Sequence, residues 1–169
     1  MSHAAGDAYD RFASRAADYG VELTRTSPDG AAAAIEAAVE GPAVGAPLPW
    51  DGVSLPESIT TDPSPADLDG ATTGVTAAAL AVAEYGSIVL RATPDGTEPV
   101  SLFPDRHVAV LREDDVVPDM EAAFAWFGET FRQTRDSAVI ATGPSATADM
   151  GELVKGAHGP KEVHVVVLS

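Results

Sequence analysis

Cysteine is absent from this chain of 169 residues. The chain therefore forms no disulfide, offers no thiolate nucleophile, and supplies none of the usual ligands of a zinc site or an iron–sulfur cluster. Lysine is nearly absent too. Only Lys155 and Lys161 occur, and with the arginines they make 10 basic residues against 26 acidic ones, a formal net charge of −16. The acids are scattered along the chain rather than gathered in a tail, which makes nucleic acid and anionic membrane surfaces poor partners. Long apolar runs are also missing. The longest, Ala77 to Ala83, is too short to span a bilayer, and Met1 to Asp10 lacks the basic and apolar regions of a secretory leader. A soluble, cytoplasmic protein with no membrane span is expected. No glycine-rich nucleotide fingerprint is present.

What the chain does contain is enough apolar material, 45% of its residues, to build one domain with a real core over residues 1–169. Its abundant alanine and acids, set against so few lysines, resemble proteins of high-salt cytoplasm, so a halophilic character is expected.

Asp7 can cap a helix running to about Tyr19, with Tyr9, Phe12, Ala16 and Tyr19 on one stripe and Gly20 as its stop. An extended piece follows over Val21 to Arg25, then a second helix over Asp29 to Glu40 ended by Gly41-Pro42. These elements form an N-terminal helical part, residues 1–41. Six prolines between Gly41 and Gly70 make residues 42–70 an irregular connection with room for brief strands near Ala43-Val44 and Ser58-Ile59-Thr60. In the motif-bearing part, 71–169, the reading places a turn at Thr76 and a strand over Ala79 to Ala83. A turn at Glu84-Tyr85-Gly86 and a return strand over Ser87 to Arg91 complete an antiparallel hairpin. His107 to Leu111 is a strand. Pro118 to about Arg132 is a helix with Met120, Ala123, Phe124, Phe127 and Phe131 toward the core, and Ser137 to Thr142 and Val163 to Leu168 are the last strands.

The chemistry-capable residues concentrate in Gly143-Pro144-Ser145-Ala146-Thr147-Ala148-Asp149-Met150, followed by His158-Gly159-Pro160. This segment leaves what reads as a buried strand, Ala138 to Ala141, so it should emerge at a strand's carboxyl end, where open α/β sheets bind ligands. Ser145, Thr147 and Asp149 stand at i, i+2 and i+4. In a loop opening a helix they either converge with backbone amides on an anion, such as a small carboxylate or a phosphate group, or cap that helix locally. His158, between glycines, can act as an acid or base near neutral pH or can satisfy a loop carbonyl. Glu84 in its turn is either a general base or nucleophile or a solvated turn residue. His107, after Pro104-Asp105-Arg106, reads as a strand-end histidine, with a ligand role as the alternative.

The string GPSATADMGELVKGAHGP resembles the signature of the lactate-utilisation C family, built on the LUD domain. Upstream, GVTAAALAVAEYGSIVL and SLFPDRHVAV resemble two further motifs of that family in the same order. The resemblance implies a three-layer α/β/α sandwich of the ribose-phosphate isomerase and coenzyme A transferase type, with a mostly parallel sheet and an antiparallel hairpin. It carries over Glu84, Asp149 and His158 as catalytic candidates and Thr76, Gly143, Ser145, Thr147 and Gly159 as ligand- or anion-binding candidates, with no metal site. Ala79 departs from the family pattern, standing where an aspartate is usual, and Arg106 stands where a histidine or other polar residue is usual. The implied function is a non-redox subunit that assists oxidation of L-lactate to pyruvate. Such a subunit has no cofactor of its own and works with partner subunits that carry iron–sulfur clusters. Two alternatives stay open: a stand-alone coenzyme A transferase-like or phosphosugar isomerase-like enzyme, and a regulatory module that binds a small carboxylate.

The charge balance predicts that self-repulsion dominates at low ionic strength. Thermal unfolding followed by circular dichroism should show a higher midpoint in about 2 M than in about 0.1 M potassium chloride, where the screening length differs several-fold. Equal midpoints would remove the halophilic expectation.

Overall fold

The computed structural model describes residues 2–169, with the side chains of residues 2–5 and of Asp149 outside the description. Helix α1 (Ser2–Asp18) leads into strand β1 (Glu22–Thr26), a short 3-10 turn (Pro28–Gly30) and helix α2 (Ala31–Ala38). The proline-rich stretch contributes β2 (Ala43–Gly45), β3 (Thr60–Thr61) and helix α3 (Pro65–Gly70). Then come β4 (Thr73–Ala77), β5 (Leu80–Val82), β6 (Ser87–Arg91), α4 (Thr97–Leu102), β7 (Arg106–Arg112) and β8 (Val116–Val117). Helix α5 (Met120–Thr134), β9 (Ala138–Thr142), β10 (Ala146–Asp149), β11 (Glu152–Lys155) and β12 (Glu162–Leu168) complete the chain.

A six-stranded sheet of order β1-β12-β7-β4-β2-β3 forms the centre, and every pairing in it is parallel. Parallel strands need cover on both faces and therefore read as continuous apolar runs, as in Val163–Leu168 and His107–Leu111. Alternate residues separate the two faces. Val75, Val108, Val110 and Val166 pack against Ala31, Ile35 and Ala38 of α2 and against Val53 and Ile59 of the proline-rich stretch. Ala109, Leu111, Val163, Val165 and Val167 face Phe12 and Ala16 of α1 and a second sheet, of order β8-β5-β6-β9. Helix α5 covers the far side of that second sheet through Ala123, Trp126 and Phe127 against Leu80, Val82 and Val89. The α/β plan with a mostly parallel central sheet and an antiparallel β5–β6 hairpin is thus the expected one.

Several local expectations change. Thr76 is not in a turn; it lies fully buried within β4, paired in register with Ala109. The β-branched Thr73, Val75 and Thr76 suit a strand, and β2 on one side and β7 on the other hold the run extended there. Ala138–Ala141 is a strand but not a buried one. It forms the outer edge of the second sheet, with Val139 37% and Ile140 42% exposed. Phe124 is 63% exposed, so α5 buries a narrower stripe than its aromatics suggest. The segment after Pro144 opens no helix: β10 and β11 form a hairpin whose turn residues Met150 and Gly151 have φ of 48° and 83°, two successive positive values as in a type I′ turn. Two short helices lie where loops were expected, α3 started by a Ser64–Asp67 capping box with Pro65 in the first turn, and α4.

Two glycines permit the closest approaches between layers. A Cβ on Gly74 would sit 1.9 Å from the Val100 carbonyl oxygen of α4, and one on Gly86 would sit 2.5 Å from the Ala16 nitrogen of α1, at a backbone φ of +67°. Gly74→Ala and Gly86→Ala should each destabilise the fold by about 2 kcal/mol or more, read as a lower denaturant midpoint. An unchanged midpoint for Gly86→Ala would mean that α1 does not rest on this turn.

Candidate functional site

Between the central sheet, the second sheet and α1 lies a cavity of about 350 Å³. Its inner walls are apolar: Phe12 from α1, Ile88 and Leu90 from β6, and Val163 and Val165 from β12. Its mouth is made by the two segments singled out in the sequence. Gly143, Ser145 and Thr147 come from one, and His158, Gly159 and Pro160 from the other. Ser145 fastens them together. Its amide donates to the Pro160 carbonyl at 2.8 Å, its carbonyl accepts from the Gly156 amide at 2.9 Å, and its hydroxyl accepts from the His158 amide at 3.3 Å. Those amides are engaged within the protein, and the residues belong to a hairpin rather than a helix N-terminus. The convergent anion nest that a helix-opening loop would offer is therefore not formed at Ser145 and Thr147.

The cavity's place in the sheet also differs from expectation. His107 and Val163 are the second residues of β7 and β12 and both line it, so it sits at the amino ends of the parallel strands. The motif segment does leave the carboxyl end of β9, but β9 belongs to the second sheet. It pairs antiparallel to β6 and delivers the chain beside the opposite ends of the central strands.

Thr76 lies behind the wall rather than on it. Its hydroxyl meets the Nε2 of His107 at 2.8 Å, and that imidazole is 2% exposed and lines the cavity. Burial pushes its pKa down to about 4, so the ring is neutral at pH 7. His158, by contrast, is exposed at the mouth. Glu84 is not brought to the cavity. It sits in the turn after β5, its amide bonded to the Pro118 carbonyl and its carboxylate 4.0 Å from Arg11. Asp149 ends β10 at the hairpin tip, and its side chain lies outside the described residues. The structure therefore gathers Gly143, Ser145, Thr147, His158 and Gly159, links Thr76 to them through His107, and leaves Glu84 apart.

His107 is the residue that sequence reasoning undervalued. The available signal was a polar side chain inside an otherwise apolar parallel strand, where it must find a partner or a purpose. On the other face of the sheet its neighbour Arg106 is buried among carboxylates. It donates to Glu162 at 2.9 Å, to Glu22 at 3.2 Å and to the Ala38 carbonyl at 2.8 Å, beside His164 at 3.3 Å. This cluster clamps the amino ends of β1, β7 and β12. Among the described residues no group of three His, Asp or Glu is placed to hold a metal ion, and no helix is long and apolar enough to cross a membrane.

The family model for the LUD domain matches residues 66–168. The chain belongs to the LUD domain family. A Deinococcus radiodurans protein called lactate utilization protein C is 34% identical over 94% of this chain and 78% of its own length. Proteins of that name from Bacillus licheniformis and Bacillus subtilis are 33% and 30% identical over 70% and 76% of the chain. The chain spans about half the length of these two Bacillus relatives, 49% and 53%. The crystal structure of a DUF162 family protein from Deinococcus radiodurans superposes with a TM-score of 0.76 at 26% identity, covering 98% of each chain. The matched LUD segment supplies the whole mouth of the cavity, while Phe12, Ala16 and Val21, from before it, close the inner end.

The neutral His107 makes stability of this LUD domain pH-dependent. Its folded pKa lies below its ordinary value of 6.5, so between about pH 4 and 6.5 the unfolded chain binds the extra proton and stability rises with pH. The contribution is complete above about pH 6.5 and lost toward pH 4, on the order of 3 kcal/mol in all. His164, also shifted down by burial, adds slope of the same sign. His107→Gln should flatten the rise of denaturant-derived stability over this window, and an unaltered slope would show that His107 is protonated without penalty in the fold.

Proposed function

We propose that this chain acts as the C-type subunit of a lactate-utilisation system, assisting oxidation of L-lactate to pyruvate together with iron–sulfur partner subunits in the cytoplasm. The observation that carries the reading is the 34% identity to a lactate utilization protein C across 94% of the chain. Oxidation of lactate to pyruvate releases two electrons and two protons, and the electrons need an acceptor. This chain has no cysteine with which to hold a cluster, so the iron–sulfur centres belong to the partners and the chain's own contribution is binding and proton handling. His158, exposed at the cavity mouth and tied through its amide to Ser145, is the first candidate to exchange a proton with solvent or a partner. Asp149 stands on the same hairpin as Thr147 and is the second candidate. The position of Glu84 outside the cavity lends no support to a transferase reading with that carboxylate as nucleophile.

Anaerobic lactate-dependent dye reduction tests this. The purified chain alone should reduce no dye; addition of the partner subunits should give turnover, and His158→Ala or Asp149→Ala in this chain should lower it by about tenfold or more. Robust turnover by the metal-free and flavin-free chain alone would overturn the subunit reading.

A further inference from the structure

Charged residues make up 21% of the chain, yet among the described residues the cavity lining contains no Asp, Glu, Lys or Arg. Among the described lining residues only the two histidines can carry positive charge, His107 kept neutral by burial and His158 exposed at the mouth, so an anion moving past His158 into the interior would give up its hydration with no cation there to replace it. The amides of Ser145, Gly156 and His158 at the mouth are already bonded within the protein. The apolar lining includes Leu102, Val139 and Val163, backed by the fully buried Phe12 and Val165. Against that surface stand the His107 ring and the hydroxyls of Ser101, Ser145 and Thr147. Thr76 holds the His107 Nε2, which leaves Nδ1 as the nitrogen through which a neutral ring can make one hydrogen bond to a ligand. Size points the same way as charge. An apolar cavity of about 150 Å³ holds benzene, so 350 Å³ admits a body more than twice that size, far larger than lactate.

We propose that this cavity binds an uncharged molecule with an apolar body of about ten heavy atoms and a carbonyl or hydroxyl oxygen that hydrogen-bonds His107. The apolar body lies against Leu102, Val139 and Val163, and the polar end stays near His107 and the hydroxyls of the mouth. L-Lactate, a small anion at neutral pH, is not this ligand. The inference stands apart from the lactate reading: dye reduction by the assembled complex and ligand binding by the isolated chain fail independently.

Isothermal titration calorimetry of the full chain at neutral pH with octanol, octanamide, octanoate and L-lactate tests it. Octanol and octanamide should bind at least about tenfold more tightly than octanoate, and L-lactate should give no binding heat. His107→Leu, which keeps the bulk and removes the hydrogen bond, should weaken octanamide by about fivefold or more. Val139 lines the cavity from the exposed edge strand, 37% exposed. Val139→Trp should therefore fill the space and abolish binding with the far-ultraviolet circular dichroism unchanged, whether or not His107→Leu folds. Octanoate or lactate binding as tightly as octanamide would overturn the proposal. So would absence of binding by both uncharged probes, or undiminished binding to Val139→Trp.

Discussion

Insertion of β12 between β1 and β7 is the constraint on which the rest of the molecule depends. The strand pairs with both neighbours in parallel, from Glu162 opposite Arg106 to Leu168 opposite Arg112 on one side and from His164 opposite Glu22 on the other. Its apolar side chains enter both major clusters, Val163, Val165 and Val167 on one face and Val166 and Leu168 on the other. A strand buried on both faces has one usable register, because a slip of one residue would exchange the two faces. That register also sets the cavity mouth. The amides of Lys161 and Glu162 bond to the Asp105 carbonyl, and one residue earlier the Pro160 carbonyl accepts from Ser145. The motif loop is therefore positioned by sheet pairing rather than by its own conformation.

Electrostatics divides the molecule in two. The net charge of −16 is carried outside the cavity, while the cavity lining is free of Asp, Glu, Lys and Arg among the described residues. Where a cation is buried, at Arg106, carboxylates from β1 and β12 surround it at 2.9 to 3.2 Å. Such a cluster adds little net stability against an apolar alternative, but removing one partner is costly, so it favours this arrangement of strand ends over others. His107, one residue along, points to the other face and is kept neutral by burial. Adjacent residues of one strand thus carry opposite electrostatic roles because alternation assigns them to different faces.

Much of the fold was legible because hydrophobic pattern and punctuation agree. The strands over His107–Leu111 and Val163–Leu168, the hairpin turned at Glu84-Tyr85-Gly86 and the helix started by Asp119 all leave marks in the residues themselves. The misread elements are those in which local signals are weak or serve two structures. Thr76 is followed by Ala77, Ala78 and Ala79, which do not favour a strand, and pairing with sheet neighbours keeps Thr76 extended. Ser145 to Asp149 carry the hydroxyls and carboxylate of a helix start, yet strand pairing with Glu152–Lys155 competes and wins. The exposure of Val139 and Ile140 follows from β9 lying at a sheet edge, a fact of strand order that a run of apolar residues does not encode.

The sequence by itself determined the exclusions and the kinship: no cysteine thiolate, a formal net charge of −16, and motifs in an order that marks the LUD domain. It also brought Ser145, Thr147 and His158 forward as a group, because motif residues close in the chain are candidates for one place in the fold. Only the tertiary structure decided that Glu84 stands apart from them, that His107 and Thr76 stand behind them, and that the space they enclose has no Asp, Glu, Lys or Arg among the described residues that line it. The physical reason is that a cavity wall is assembled from different strands and a helix. Which face of each strand it receives depends on register and sheet order, and these are settled by pairings across many residues of chain rather than by any short stretch of it.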